Sequence, residues 1–163
     1  MPRSQREAWL RSHGFQNVDA ICGAAEKPDR PTIQRCGAML LNESSGGYNL
    51  YGHEGPLPEL WGQEVTEANY QLYKAARERG EGNNGVGPTQ ITSTGLQIQA
   101  QNLGGCWNPL YNMDVGFHFL HELIERYGVW GGARSYNGSG PAAERYADEF
   151  LFHERMLIEG GLR

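Results

Sequence analysis

Glycine divides this chain into segments. Clusters at 46–47, 80–87, 104–105, 128–132 and 138–140 fall between apolar runs, where they permit tight turns and end helices. Within the runs the apolar residues recur at spacings of three and four, the period of an amphipathic helix. Between 31 and 43, Ile33, Cys36, Gly37, Leu40 and Leu41 share one face. Between 113 and 128, Val115, Phe119, Leu120, Leu123, Ile124 and Tyr127 form the broadest stripe, with Asp114 in the first turn and Gly128 at the end. Ser4 and Glu7 read as a capping box ahead of Trp9 and Leu10. Asn17 or Asp19 opens a second helix, and Ser93 or Thr94 opens another. The run 65–79 predicts a helix with Val65, Ala68, Leu72 and Ala75 inward; 141–157 predicts one with Ala143, Tyr146, Ala147, Phe150 and Leu151 inward. A small hairpin around 48–53 is the one strand reading the sequence allows. The expected class is mainly α.

A chain of 163 residues suits one domain with a real core. A net charge of −5, with no run of Lys or Arg, argues against nucleic acid as a partner. No apolar stretch approaches a membrane span, and residues 1–14 lack the apolar region of a signal peptide. Synthesis in the cytoplasm without membrane insertion is therefore expected. Cys22, Cys36 and Cys106 show no metal-ligand spacing and read as reduced, buried thiols, with a Cys22–Cys36 bridge as the alternative. His118 and His121 lie three apart without a third ligand motif. They, with His13, His53 and His153, read as surface or core residues, so no metal or cofactor is expected. Cys36 sits on an apolar helix face and reads as a core residue rather than a nucleophile.

Chemistry concentrates in three places. Residues 42–46, Asn-Glu-Ser-Ser-Gly, end an apolar helix. There both the apolar walls and the negative end of the helix dipole disfavour a charged Glu43. A carboxylic acid kept protonated near neutral pH suits cleavage of a glycosidic bond. Residues 83–92, NNGVGPTQIT, form a loop whose glycines admit a ligand, and 135–140, SYNGSG, form a third element that alone would read as a turn. The long loop 46–62 carries Tyr48, Tyr51 and Trp61, rings that either stack on sugar faces or roof the core.

In this order the pieces LLNESSGG (40–47), GVGPTQI (85–91), NPLYNMDVGFHFLHEL (108–123) and SYNGSG resemble the lysozyme-like superfamily. The similarity is to its branch of goose-type lysozymes and soluble lytic transglycosylases, and it spans about 30–155. Pro88-Thr89 stand where Leu-Met is usual, and the segment from Glu43 to the loop is longer than usual. The resemblance implies a helical domain with a loop-rich cleft, binding peptidoglycan glycan strands and cleaving the β-1,4 bond between N-acetylmuramic acid and N-acetylglucosamine. It puts the general acid at Glu43 and Gln90 along the sugar groove. It also brings the Tyr136 hydroxyl toward the catalytic carboxyl and Asn137 to sugar or loop backbone.

In the goose-type hydrolases an acid precedes the loop glutamine by a spacing that falls here on Glu81. That points to an inverting hydrolase, with Glu81 and the hydroxyl of Thr92 holding the attacking water. The alternatives are a lytic transglycosylase, whose sugar hydroxyl closes a 1,6-anhydro ring, and a non-catalytic glycan-binding module. A small acidic wall-degrading domain suits a phage endolysin or virion-associated lytic enzyme, acting as a monomer on the wall once the membrane is breached, or as one module of a longer lysin.

Overall fold

The computed structural model describes residues 1–163. Seven α-helices follow in order: α1 (Arg3–Ser12), α2 (Val18–Ala25), α3 (Ile33–Ser44), α4 (Glu67–Glu78), α5 (Thr94–Leu103), α6 (Pro109–Asn137) and α7 (Pro141–Glu159). A single 3₁₀ turn, Pro58–Leu60, interrupts the long loop after α3. The fold is mainly α, and isolated bridges stand in place of a sheet: Leu50 with Glu64, Tyr51 with Val86, and Val86 with Ile91. The small hairpin that the sequence allows around 48–53 does not form within that segment. That segment pairs outward instead, with 62–65 on one side and the glycine loop on the other.

Two apolar cores flank α6. The larger gathers Leu10, Ile21, Leu40, Phe150 and their neighbours from α1, α2, α3 and α7 against Met113, Phe117 and Leu120. The smaller packs Tyr51, Tyr70, Tyr73, Val86 and Ile91 against Val115. Successive residues of one helix thus serve both cores. α6 begins at Pro109 with Asn108 as its cap, so Asp114 lies beyond the first turn. It is buried there between Lys27 and Arg30; burial opposes its charge, but the two cations outweigh it and hold the carboxyl below its ordinary range.

Other expectations change for identifiable reasons. α1 starts after Pro2 with no side-chain cap, and Glu7 takes the Arg3 guanidinium at 2.8 Å instead of closing a box with Ser4. α4 turns Tyr70, Tyr73, Ala76 and Arg77 inward and leaves Leu72 63% exposed, along with Ala68 and Ala75. The tyrosine rings bury more area than the aliphatic face, and their hydroxyls find partners: Tyr70 donates to Gln101 at 2.6 Å and Tyr73 to Gln97 at 2.9 Å. Gly128 does not end α6. It breaks the helix with non-helical angles (φ 76°, ψ 174°), and the chain resumes helix to Asn137. Tyr127 and Leu151, expected inward, are exposed. All three cysteines are buried and unbridged.

Candidate active site

A cleft of about 400 Å³ opens beside the C-terminal end of α3. It is lined by 43–45 at the end of α3, by Tyr48, by 50–53, and by Gly62 and Gln90. α3 forms because Thr32 caps it, accepting from the Arg35 amide, while its buried face runs from Cys36 to Leu40. It stops at Ser45 in a left-handed conformation (φ 53°), which delivers Glu43 to the cleft from the last turn.

Burial pushes the Glu43 carboxyl up to about 7, against the opposing effect of a hydrogen bond from Tyr146. The Tyr146 hydroxyl donates to Oε1 at 2.7 Å, and Oε2 has no protein partner. Tyr146 is itself 9% exposed, on the inward face of α7. Asn42, next to the acid, donates to the Tyr146 carbonyl at 3.1 Å and meets His153 Nδ1 at 2.8 Å, which fixes α3 on α7.

The glycine loop is docked against the acid by two hydroxyls. Ser44 Oγ donates to the Pro88 carbonyl at 2.6 Å, and the Tyr136 hydroxyl donates to the Thr89 carbonyl at 2.6 Å. Buried Asn112 of α6 completes the grip: it accepts from the Thr89 amide at 3.1 Å and donates to the Val86 carbonyl at 2.9 Å. Gly87 (φ 75°) is obligatory here, because a Cβ would come within 2.5 Å of the Asn112 side chain. From the other side, Gln97 of α5 donates to the carbonyls of Asn84 at 2.9 Å and Ile91 at 3.0 Å. The loop is therefore a rigid wall of the cleft rather than a flap.

Of the residues expected to act together, Glu43 and Gln90 share the cleft. The Gln90 amide is committed to the loop, donating to Leu50 at 2.8 Å and Gly87 at 3.0 Å, with its backbone at φ 48°. Tyr136 reaches the loop, and the hydroxyl on the carboxyl is that of Tyr146 instead. Burial, then the charge of Glu43, keeps the Tyr136 phenol protonated far beyond its ordinary range. Glu81 is exposed and outside the cleft lining; its two oxygens take Arg79 at 2.9 and 3.1 Å, a pairing that holds its carboxyl below the ordinary value. Thr92 is exposed and donates to the Gln90 carbonyl at 3.1 Å, and Asn137 is exposed at the end of α6. Neither lines the cleft. Tyr48, 45% exposed, faces the cleft, whereas Tyr51 is buried with its hydroxyl donating to Asn69 at 3.0 Å.

Ser44, Asn112 and Tyr146 were not singled out by the motifs. Tyr146 carried one legible signal, a phenol at an inward helix position, which needs a partner when buried. No protein-family model, curated protein or solved structure matches this chain.

Proposed function

We propose that this chain is a lysozyme-like peptidoglycan glycosidase, with Glu43 as general acid in cleaving the β-1,4 bond between N-acetylmuramic acid and N-acetylglucosamine. One observation carries the reading: a carboxyl pushed up to about 7 lines a cleft from the last turn of a helix whose end holds the glycine loop through Ser44. A group that ionises near the working pH serves well as both donor and acceptor of a proton. Tyr146 holds Oε1, so the proton resides on Oε2 and passes to the glycosidic oxygen as positive charge builds on the sugar.

A polymeric substrate fits the surroundings. Tyr48 and Leu50 also line a second cavity of about 700 Å³ that includes Gln16, Glu64, Trp107 and Asn108, so the two cavities adjoin there. Rings and amides of that kind suit acetamido sugars. The same reading gives the protein a wall-lysing role of the endolysin kind.

The position of Glu81 favours a second reading of the outcome. Glu43 is the one carboxylate of the smaller cavity, and exposed Glu64 lines the adjoining one, whereas inverting hydrolysis ordinarily sets two across the bond that breaks. Attack by the sugar's own hydroxyl, as in lytic transglycosylases, needs no carboxylate-bound water. Digestion of purified peptidoglycan followed by mass spectrometry tests both. Soluble fragments with anhydro ends favour the second reading, and reducing ends favour hydrolysis. A wall left intact at neutral pH, with glycan still bound, overturns both in favour of a binding module.

A further inference from the structure

We propose that His53 is the base of this site, its imidazole taking the proton released by the hydroxyl that attacks the anomeric carbon. The inference rests on the glycosidase reading of Glu43 and deepens it.

Three features of the cleft carry it. Glu43 and the exposed His53 line the same cavity from different parts of the chain, the first from α3 and the second from the segment that bridges to the glycine loop. The backbone before His53 is held on both flanks: Tyr51 accepts from the Gly62 amide and donates to Gln63, both at 3.0 Å, and the Gly52 amide donates to Gly85 at 2.9 Å. The imidazole then lies over Gly62, where an added Cβ would stand 3.1 Å from its Cε1 and 3.4 Å from its Nε2. Gly62 has φ 72°, so backbone geometry as well as lack of space keeps it a glycine beneath the imidazole.

The third feature is chemical. The other polar side chains of the cleft are engaged or weakly basic. Ser44 donates to Pro88, the Gln90 amide to Leu50 and Gly87, and the Tyr51 hydroxyl to Asn69. Ser45 and Tyr48 offer only hydroxyls. Neither ring nitrogen of His53 has a protein partner, in contrast to His153 on Asn42 and His13 on the Trp9 carbonyl. Imidazole is the side chain best suited to accept a proton at neutral pH.

The step balances within the two residues. The bond from the anomeric carbon to the leaving oxygen breaks, and that oxygen takes the proton of Glu43. A bond forms from the same carbon to the attacking oxygen, whose proton passes to His53. Exchange with solvent then returns both residues to their starting forms. The attacking hydroxyl is that of water or of the sugar itself, and the product mass distinguishes them.

The experiment compares wild type, His53→Gln, His53→Ala and Glu43→Gln on soluble peptidoglycan glycan chains, with kcat and KM measured separately. The expected result is a kcat lowered about 100-fold or more in both His53 variants, with KM and Tm near wild type. Added imidazole restores part of the rate to His53→Ala and none to Glu43→Gln. A His53→Ala enzyme with kcat near wild type, beside an inactive Glu43→Gln, overturns the base and leaves the acid standing. A loss confined to KM, or one that imidazole does not repair, makes His53 a binding residue and also overturns the proposal. A wild type that cleaves nothing removes the glycosidase reading and His53 with it.

Discussion

The Tyr146 hydroxyl lies 2.7 Å from Glu43 Oε1 and is the hydrogen bond that opposes the rise in this carboxyl's proton affinity. A donated hydrogen bond stabilises the carboxylate, so its removal raises the proton affinity further. Tyr146→Phe is expected to move the alkaline limb of the pH–rate profile upward by about 0.7 units, taking about 1 kcal/mol for the bond. A limb that stays in place, or moves down, contradicts the assignment of that limb to Glu43.

The raised proton affinity also has a consequence for folding. An unfolded glutamate ionises near 4.5, and the folded Glu43 near 7. Its stability contribution is complete below the lower value and is lost as pH rises through the upper one. Wild type is therefore expected to lose about 2.5 kcal/mol between pH 5 and 8.5 that Glu43→Gln retains, a relative Tm shift of roughly 5–10 °C. Melting curves at the two pH values read this directly, and parallel curves for the two proteins contradict it.

How far the sequence discloses this site follows from what each signal measures. α3 and its acid were legible, because the apolar face of 33–41 and the desolvation it implies are both local properties. The docking of the loop was not, since the carbonyls of Pro88 and Thr89 are held by Ser44, Tyr136 and Asn112, residues far apart in the chain. The resemblance to goose-type hydrolases placed Glu81 beside a water site, but it does not register that Arg79, two residues away, takes its carboxylate. The glycines after Tyr127 looked like an end to helix. Gly132 instead packs on Ile124, where a Cβ would come within 2.7 Å of its backbone, so the helix resumes there for close packing.

The two hydroxyls that seat the loop are expected to act as one unit. Ser44→Ala and Tyr136→Phe each leave a loop carbonyl without its donor, at about 1–3 kcal/mol in urea unfolding. The double variant is expected to lose less than the sum, because either change already loosens the same segment. Full additivity in a double-mutant cycle contradicts a shared loop.

Gly116 of α6 faces Thr89, and a Cβ there overlaps the threonine side chain. Gly116→Ala is expected to destabilise by about 1–3 kcal/mol through overpacking. Gly95, in α5 with open space around it, provides the comparison: Gly95→Ala is expected to stabilise by about 0.5–1 kcal/mol. Equal effects at the two positions contradict the packing of the loop on α6.

Glu81→Gln is expected to leave turnover within about twofold of wild type, since it removes only an exposed pair with Arg79. A loss of about 100-fold or more makes Glu81 a catalytic partner after all.

Clearing of purified peptidoglycan by wild type and by Glu43→Gln, at neutral pH and with both proteins shown to be folded, bears most directly on the acid. The rate is expected to fall at least about 100-fold in the variant. Equal clearing by the two proteins contradicts the account.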